Sequence, residues 1–287
     1  MGFSMALSGG GIRGAAHLGA LTALAEYGLR PSAIAGCSAG SIVAGLFACS
    51  VSLEDMKKML AELSKNYKII IDPEYFKILS SVFGLVLKRR PFASGLLKGK
   101  KLERYLDTYT KGKDIKDCTI PIVIPSVDLM SGNTIVFVRE KTMLPHIPGV
   151  VWDDSVKLSF AMAASSSFPT IFTPKDYRDM YLVDGGVKEM LPADLLYAVN
   201  KNKILSINVS PKYMTPKHKD FIEIASHSFS LMSERLTESS CEMQTMLIRP
   251  DIPEKAGLLS FEAIHQCYQA GYQAVNNNMQ TIQFILA

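Results

Sequence analysis

The chain has 287 residues, 48% of them hydrophobic, and a net charge of +4. That length accommodates one large α/β domain with an insertion, and so mild a charge argues against a nucleic-acid partner. Five cysteines, an odd number without Cys-x-x-Cys or cysteine/histidine spacing, exclude a disulfide framework and a zinc site. No apolar run approaches the roughly eighteen residues that span a bilayer, and no signal peptide opens the chain, so a cytoplasmic protein is expected.

In chain order, Phe3 to Leu7 reads as a strand running into Ser8-Gly9-Gly10-Gly11-Ile12-Arg13-Gly14. A helix over Ala15 to Tyr27 follows, with Gly28 as its C-cap. Ser32 to Ala35 is a second strand leading to Gly36-Cys37-Ser38-Ala39-Gly40, and Ser41 to Cys49 is a buried helix. Leu53 to Asn66 places Leu53, Met56, Leu60 and Leu63 on one helical face. From Lys68 to Arg104 nine basic residues stand against three acidic ones, with Tyr75, Phe76 and Phe83 interleaved. Strands are expected at Ile120 to Val127 and Thr134 to Arg139, and Met143 to Trp152 reads as a rim loop. Leu158 to Ala164 is helical, Tyr181 to Val183 a short strand before Asp184-Gly185-Gly186, and Lys203 to Val209 another strand. A long helix over Phe221 to Glu242, a strand at Thr245 to Arg249 and a helix from Phe261 to Phe284 close the chain. Strands alternating with helices give an α/β fold with a largely parallel sheet, and without repeats or linkers one folding unit, residues 1–287, is expected.

Three motifs carry chemistry. Gly36-Cys37-Ser38-Ala39-Gly40 has the Gly-x-Ser-x-Gly form of a nucleophile elbow, a strand-to-helix turn that lifts a serine off the sheet edge. Glycines two positions either side, Gly36 and Gly40, leave room for that strained turn. Gly9-x-Gly11-x-x-Gly14 also fits a dinucleotide fingerprint, which wants an acidic residue about twenty positions on to hold a ribose. No Asp or Glu lies between Tyr27 and Val51. The competing reading is an anion cradle of backbone N–H groups, with Arg13 bracing the loop. For a base, His146, His218, His227 and His265 are available to a triad, but none sits at an evident strand end flanked by glycine, and His17 reads as a packed or capping residue. Asp184 follows a buried strand and is followed by Gly185 and Gly186, which permit close approach.

Taken together, and with Ala163-Ala164-Ser165-Ser166-Ser167-Phe168-Pro169 ahead of the aspartate, these motifs resemble the patatin-like phospholipases over most of Phe3 to Pro211. The resemblance implies a three-layer α/β/α fold and a Ser-Asp dyad, with no histidine base, metal or cofactor. Carried over by position, Ser38 is the nucleophile and Asp184 the base, with Gly9, Gly10, Gly11, Arg13 and Gly14 forming and bracing the oxyanion hole. Methionine at 190 departs from the asparagine the family often has there, which questions a loop-bracing polar contact. Residues 67–118, apolar and basic at once, are expected as a helical cap insertion meeting an anionic membrane surface peripherally. The expected function is hydrolysis of lipid acyl esters. The alternatives are an inactive lipid-binding or regulatory module, an acyltransferase using the same dyad, and a nucleotide-dependent oxidoreductase; the oligomeric state is open.

Overall fold

The computed structural model describes residues 2–73, 94–210, 224, 227–229, 231–232 and 243–286. The chain opens with β1 (Ser4–Leu7), α1 (Ala15–Glu26), β2 (Ala33–Gly36), α2 (Ala39–Ala48) and α3 (Leu53–Lys65). It continues through β3 (Gly95–Leu97), α4 (Lys100–Thr110), β4 (Ile122–Asp128), β5 (Thr134–Val138), β6 (Val150–Asp153) and α5 (Leu158–Ser165). Then come β7 (Thr170–Phe172), β8 (Lys175–Tyr177), β9 (Met180–Asp184), α6 (Ala193–Val199), β10 (Ile204–Ile207), β11 (Met246–Ile248), α7 (Ile264–Asn277) and α8 (Met279–Leu286).

The main sheet has the order β11-β10-β1-β2-β4-β5-β6, parallel from β11 to β4, with β5 antiparallel to β4. Period-two alternation sorts its strands onto two cores. Met5, Leu7, Ile34, Ile122, Ile124 and Phe137 face one cluster, shared with α1, α2, α3, α5 and α7. Ala6, Ala33, Ala35, Val123 and Val136 face the other, where Leu195 and Leu196 of α6 pack. Three layers result, and the small residues on the second face let α6 lie close to the sheet.

One feature of the topology decides where the site lies. β5 covers one edge of β4 from Val123 to Val127. β2 therefore runs along the other edge, parallel, through Ala35↔Val123. β9 comes down that same edge antiparallel, ending at Asp184↔Ser126. Two strands thus meet head-on along one edge, and β2 has to turn out of the sheet at Cys37 and Ser38.

Several expectations are corrected. Met143 to Trp152 is not all loop: β6 starts at Val150 and pairs β5, and Trp152 Nε1 donates to the Pro145 carbonyl at 2.9 Å. Prolines 145 and 148 ahead of it hide so short a strand from a pattern reading. The closing helix is broken, because Phe261–Ala263 is a 3-10 turn and Asn278 separates α7 from α8. Within 67–118, β3 pairs β7 and α4 packs on α5. The centre of the expected cap, residues 74–93, lies outside the described residues, as do His218 and most of the expected helix from Phe221 to Glu242. Among the described residues no helix is long and apolar enough to cross a membrane.

Candidate active site

The elbow forms for steric reasons that can be read atom by atom. Ser38 has φ 51° and ψ −125°, a conformation costing a non-glycine residue on the order of 1–3 kcal/mol. A side chain on Gly36 would strike the Gly40 carbonyl, and one on Gly40 would sit 2.6 Å from the carbonyl oxygens of both Leu7 and Ser8. The turn is held from outside: Ser38 N–H donates to Ser165 Oγ at 3.1 Å, and Ser41 Oγ donates to the Ser38 carbonyl at 2.6 Å. α2 begins at the next residue, so its positive end lies against the serine.

Asp184 closes β9 opposite that turn and is buried. Its N–H donates to the Ser167 carbonyl at 2.9 Å. Its two carboxylate oxygens differ sharply. Oδ1 accepts the Gly186 N–H at 2.8 Å and the Cys37 thiol at 3.7 Å, whereas Oδ2 is buried without a partner of ordinary hydrogen-bond geometry. Burial pushes the pKa up to about 6, opposed by the Ser38 hydroxyl, the Gly186 amide and the Cys37 thiol. The Ser38 hydroxyl is therefore near enough to act on the carboxylate. Ser165 and Ser167, three residues' span at and just beyond the end of α5, secure Ser38 and Asp184 from the same turn of chain. The sequence reading quoted both without giving either a role, and only the contact itself reveals one.

The glycine loop crosses above the elbow. Gly9, expected among the anion donors, spends its N–H on the Met190 carbonyl at 3.0 Å. Gly14 packs on α2, where a Cβ would lie 2.6 Å from that of Ala39. The N–H groups of Gly10 and Gly11 have no hydrogen-bond partner among the described residues. Gly11 has φ +57° and makes way for the Leu258 carbonyl. Arg13 braces the loop, its Nε donating to the Ala256 carbonyl at 2.6 Å. His17 is buried and held neutral, its pKa lowered to about 4 by burial, and Nε2 donates to the Ser8 carbonyl at 2.8 Å. Met190 supplies the bridge questioned above by other means. Its carbonyl takes Gly9, and its thioether packs where side chains on Gly9 and Gly186 would stand. The Asp-Gly-Gly loop needs its glycines too, for a Cβ on Gly185 would strike the Pro125 carbonyl.

From Ser38 an apolar cleft follows the face of α2 formed by Ala39, Ile42, Val43 and Leu46. Met56 and Met59 of α3 also line it. Only the end at Ser38 and Ser166 and the Tyr105 hydroxyl interrupt its hydrocarbon lining. No histidine is among the partners of Asp184, and among the described residues no group of three His, Cys, Asp or Glu could hold a metal ion. An apolar cleft that ends at a strained serine beside a buried carboxylate, with Gly11 in its lining, has the parts to attack a carbonyl joined to a hydrocarbon chain.

Comparison with known proteins agrees with this geometry. The family model "Patatin-like phospholipase" matches residues 5–197. Patatin-like phospholipase domain-containing protein 6 of Mus musculus is 26% identical over 206 residues, 72% of this chain and 13% of that protein. An uncharacterized NTE family protein of Mycobacterium bovis is 24% identical over 208 residues, 72% of this chain and 49% of the relative. The chain therefore spans less than half the length of these relatives. Among solved structures, VipD from Legionella pneumophila has a similar fold, with a TM-score of 0.53 and 14% identity over 98% of this chain and 67% of that one. With the model covering about two thirds of the sequence, including both the elbow and the Asp-Gly-Gly loop, the chain belongs to the patatin-like phospholipase family.

Proposed function

We propose that the protein is a serine hydrolase of lipid acyl esters working through Ser38 and Asp184. The observation that carries this reading is the buried Asp184 carboxylate, its Oδ1 occupied and its Oδ2 unpartnered, within the influence of the Ser38 hydroxyl. Ser38 Oγ attacks the ester carbonyl as its proton passes to Oδ2. The tetrahedral oxyanion lies under the unspent N–H groups of Gly10 and Gly11, and each such donor lowers the barrier by ~2.7–4 kcal/mol. Collapse breaks the bond to the alcohol, which leaves with the proton from Asp184. Water then attacks the acyl-enzyme, giving its proton to Oδ2, and collapse returns it to Ser38 as the acid departs. The apolar cleft supports an acyl chain as the group retained on the serine.

The test is hydrolysis of p-nitrophenyl acyl esters with labelling by a fluorophosphonate probe. Wild-type protein is expected to be active and labelled at Ser38, and both Ser38→Ala and Asp184→Asn to lose activity while staying folded. Full activity in either variant refutes the dyad. Absence of labelling favours a non-catalytic lipid-binding module, and transfer of the acyl group to an acceptor alcohol in place of water favours an acyltransferase.

A further inference from the structure

Cys37, the elbow residue just before Ser38, has no part in the chemistry above, yet it touches Asp184. It is fully buried, and burial beside Asp184 keeps its pKa well above the ordinary thiol value, so it carries its proton and can donate. Its Sγ lies 3.7 Å from Asp184 Oδ1, within reach for a sulfur donor. The Gly186 N–H occupies the same oxygen at 2.8 Å. A carboxylate so held presents its other oxygen in one direction, and here that oxygen is the unpartnered Oδ2. Cys37 itself is fixed, its N–H donating to the Leu7 carbonyl at 3.1 Å and its side chain directed inward by the turn that points Ser38 outward.

We infer that Cys37 is a positioning residue for the base: its thiol, together with the Gly186 amide, loads Oδ1 of Asp184 and so directs Oδ2 at the nucleophile. The inference rests on the proposed hydrolase reading. It makes the second position of the motif a part of the proton-transfer apparatus, one that cannot be filled by any small residue without consequence. A thiol is a weak donor, so it orients the carboxylate without pulling its proton affinity down as far as a stronger donor would. An alanine there would leave Oδ1 with one donor, raise the pKa of Asp184 and free the carboxylate to turn. A serine would restore a donor.

The titratable groups around the pair are few. Ser38 and Cys37 face Asp184 from the elbow; Ser165 at the end of α5, which also hydrogen-bonds Cys37, and Ser167 just beyond the helix are neutral. Glu189, its own pKa raised by burial to about 7, acts on Cys37 from the loop that follows the glycines. His17 is neutral on the far side of the glycine loop.

The experiment measures kcat/KM against pH for wild type, Cys37→Ala, Cys37→Ser and, as a control for the neighbouring carboxyl, Glu189→Gln. Wild type should lose activity below an acid limb near pH 6. Cys37→Ala should move that limb upward by about half a unit or more and lower the plateau about tenfold, while Cys37→Ser keeps the limb at or below the wild-type position. Glu189→Gln should leave the limb where it is. A second readout needs no turnover: the S–H stretching band lost in Cys37→Ala should shift in Asp184→Asn, where the acceptor charge has gone. An unmoved limb in Cys37→Ala, an equal upward shift in Cys37→Ser, or a thiol band indifferent to Asp184→Asn overturns the inference. Failure of the hydrolase reading looks different, because wild-type protein would then neither turn over esters nor be labelled at Ser38, while the thiol band would still report the contact.

Discussion

Replacing Asp184 by asparagine should abolish hydrolysis and stabilise the fold. The carboxyl is buried and its pKa stands at about 6 against an ordinary 3.8. The unfolded chain thus ionises first as pH rises, and the native state loses stability from pH 3.8 upward until the folded carboxyl has also ionised, above about 6. A raised pKa of about two units corresponds to about 3 kcal/mol, at 1.36 kcal/mol per unit. Asparagine avoids that cost without leaving its neighbours unsatisfied. Its Oδ1 can keep the Gly186 and Cys37 donors, and its amide can donate to Ser38 Oγ. Urea denaturation of wild type and Asp184→Asn at pH 4 and pH 8 reads the effect directly. The difference should be small at pH 4 and grow in favour of the variant at pH 8, toward about 3 kcal/mol, with a rise in Tm of about 5 °C for a chain of this size. A variant less stable than wild type by the same amount at both pH values would refute the reasoning, since it would mean that the charge is not held at a cost.

Ser165→Ala removes the acceptor of the part-buried Ser38 N–H and loosens the elbow; kcat/KM for a p-nitrophenyl ester should fall about tenfold or more, with Ser165→Thr retaining most of it. Gly40→Ala puts a methyl group 2.6 Å from two backbone oxygens and should cost at least ~1–3 kcal/mol in urea denaturation, together with loss of probe labelling at Ser38. Across p-nitrophenyl esters, kcat/KM should climb about fourfold per methylene. The climb should end near ten carbons, because the eight residues of α2 from Ala39 to Leu46 span ~12 Å and an extended chain advances ~1.25 Å per carbon; a flat profile from four to twelve carbons would contradict an acyl site in this cleft. Vesicles rich in phosphatidylserine should retain the protein better than phosphatidylcholine alone and release it as salt is raised, given nine basic residues against three acidic ones from Lys68 to Arg104. Retention that ignores both charge and salt would set the membrane expectation aside.

What could be read from the sequence was whatever short-range patterning determines. β1, α1, β2 and α2 are bounded by glycine punctuation and uniformly buried runs, so their limits emerge within a residue or two. Other elements have weaker local signals. α4 shows only Leu102, Leu106 and Thr110 to the core among lysines and arginines, so it reads as part of a charged insertion. β3, β7 and β8 have three residues each, too few for a period to register. The break at Asn278 does have a local signal, the run Asn276-Asn277-Asn278 of low helix propensity, which the apolar periodicity on either side masks. Within the site, the elbow and the Asp-Gly-Gly turn are legible through steric demands, which act on neighbouring residues. The contacts of Ser165, Ser167 and Cys37 join positions 17 to 147 residues apart and leave no trace in local sequence.

In the proposed mechanism a carboxylate does what a histidine does elsewhere. An ordinary aspartate, with a pKa of about 3.9, is too weak a base for a serine hydroxyl. Burial at the end of β9 strengthens it by about two units. Had burial acted alone, the group would tend toward the neutral form and be useless near neutrality. The Ser38 hydroxyl, the Gly186 amide and the Cys37 thiol oppose that drift, and at a pKa of about 6 roughly nine-tenths of the molecules are ionised at pH 7. The arrangement needs β9 to be antiparallel. A parallel strand at this edge of β4 would arrive beside β2 and point its final residue the same way, whereas an opposed strand brings its last side chain to the place where β2 leaves the sheet. The position of the base and its strength therefore have one origin, the collision of two strands on a single edge, which buries whatever residue stands at their junction.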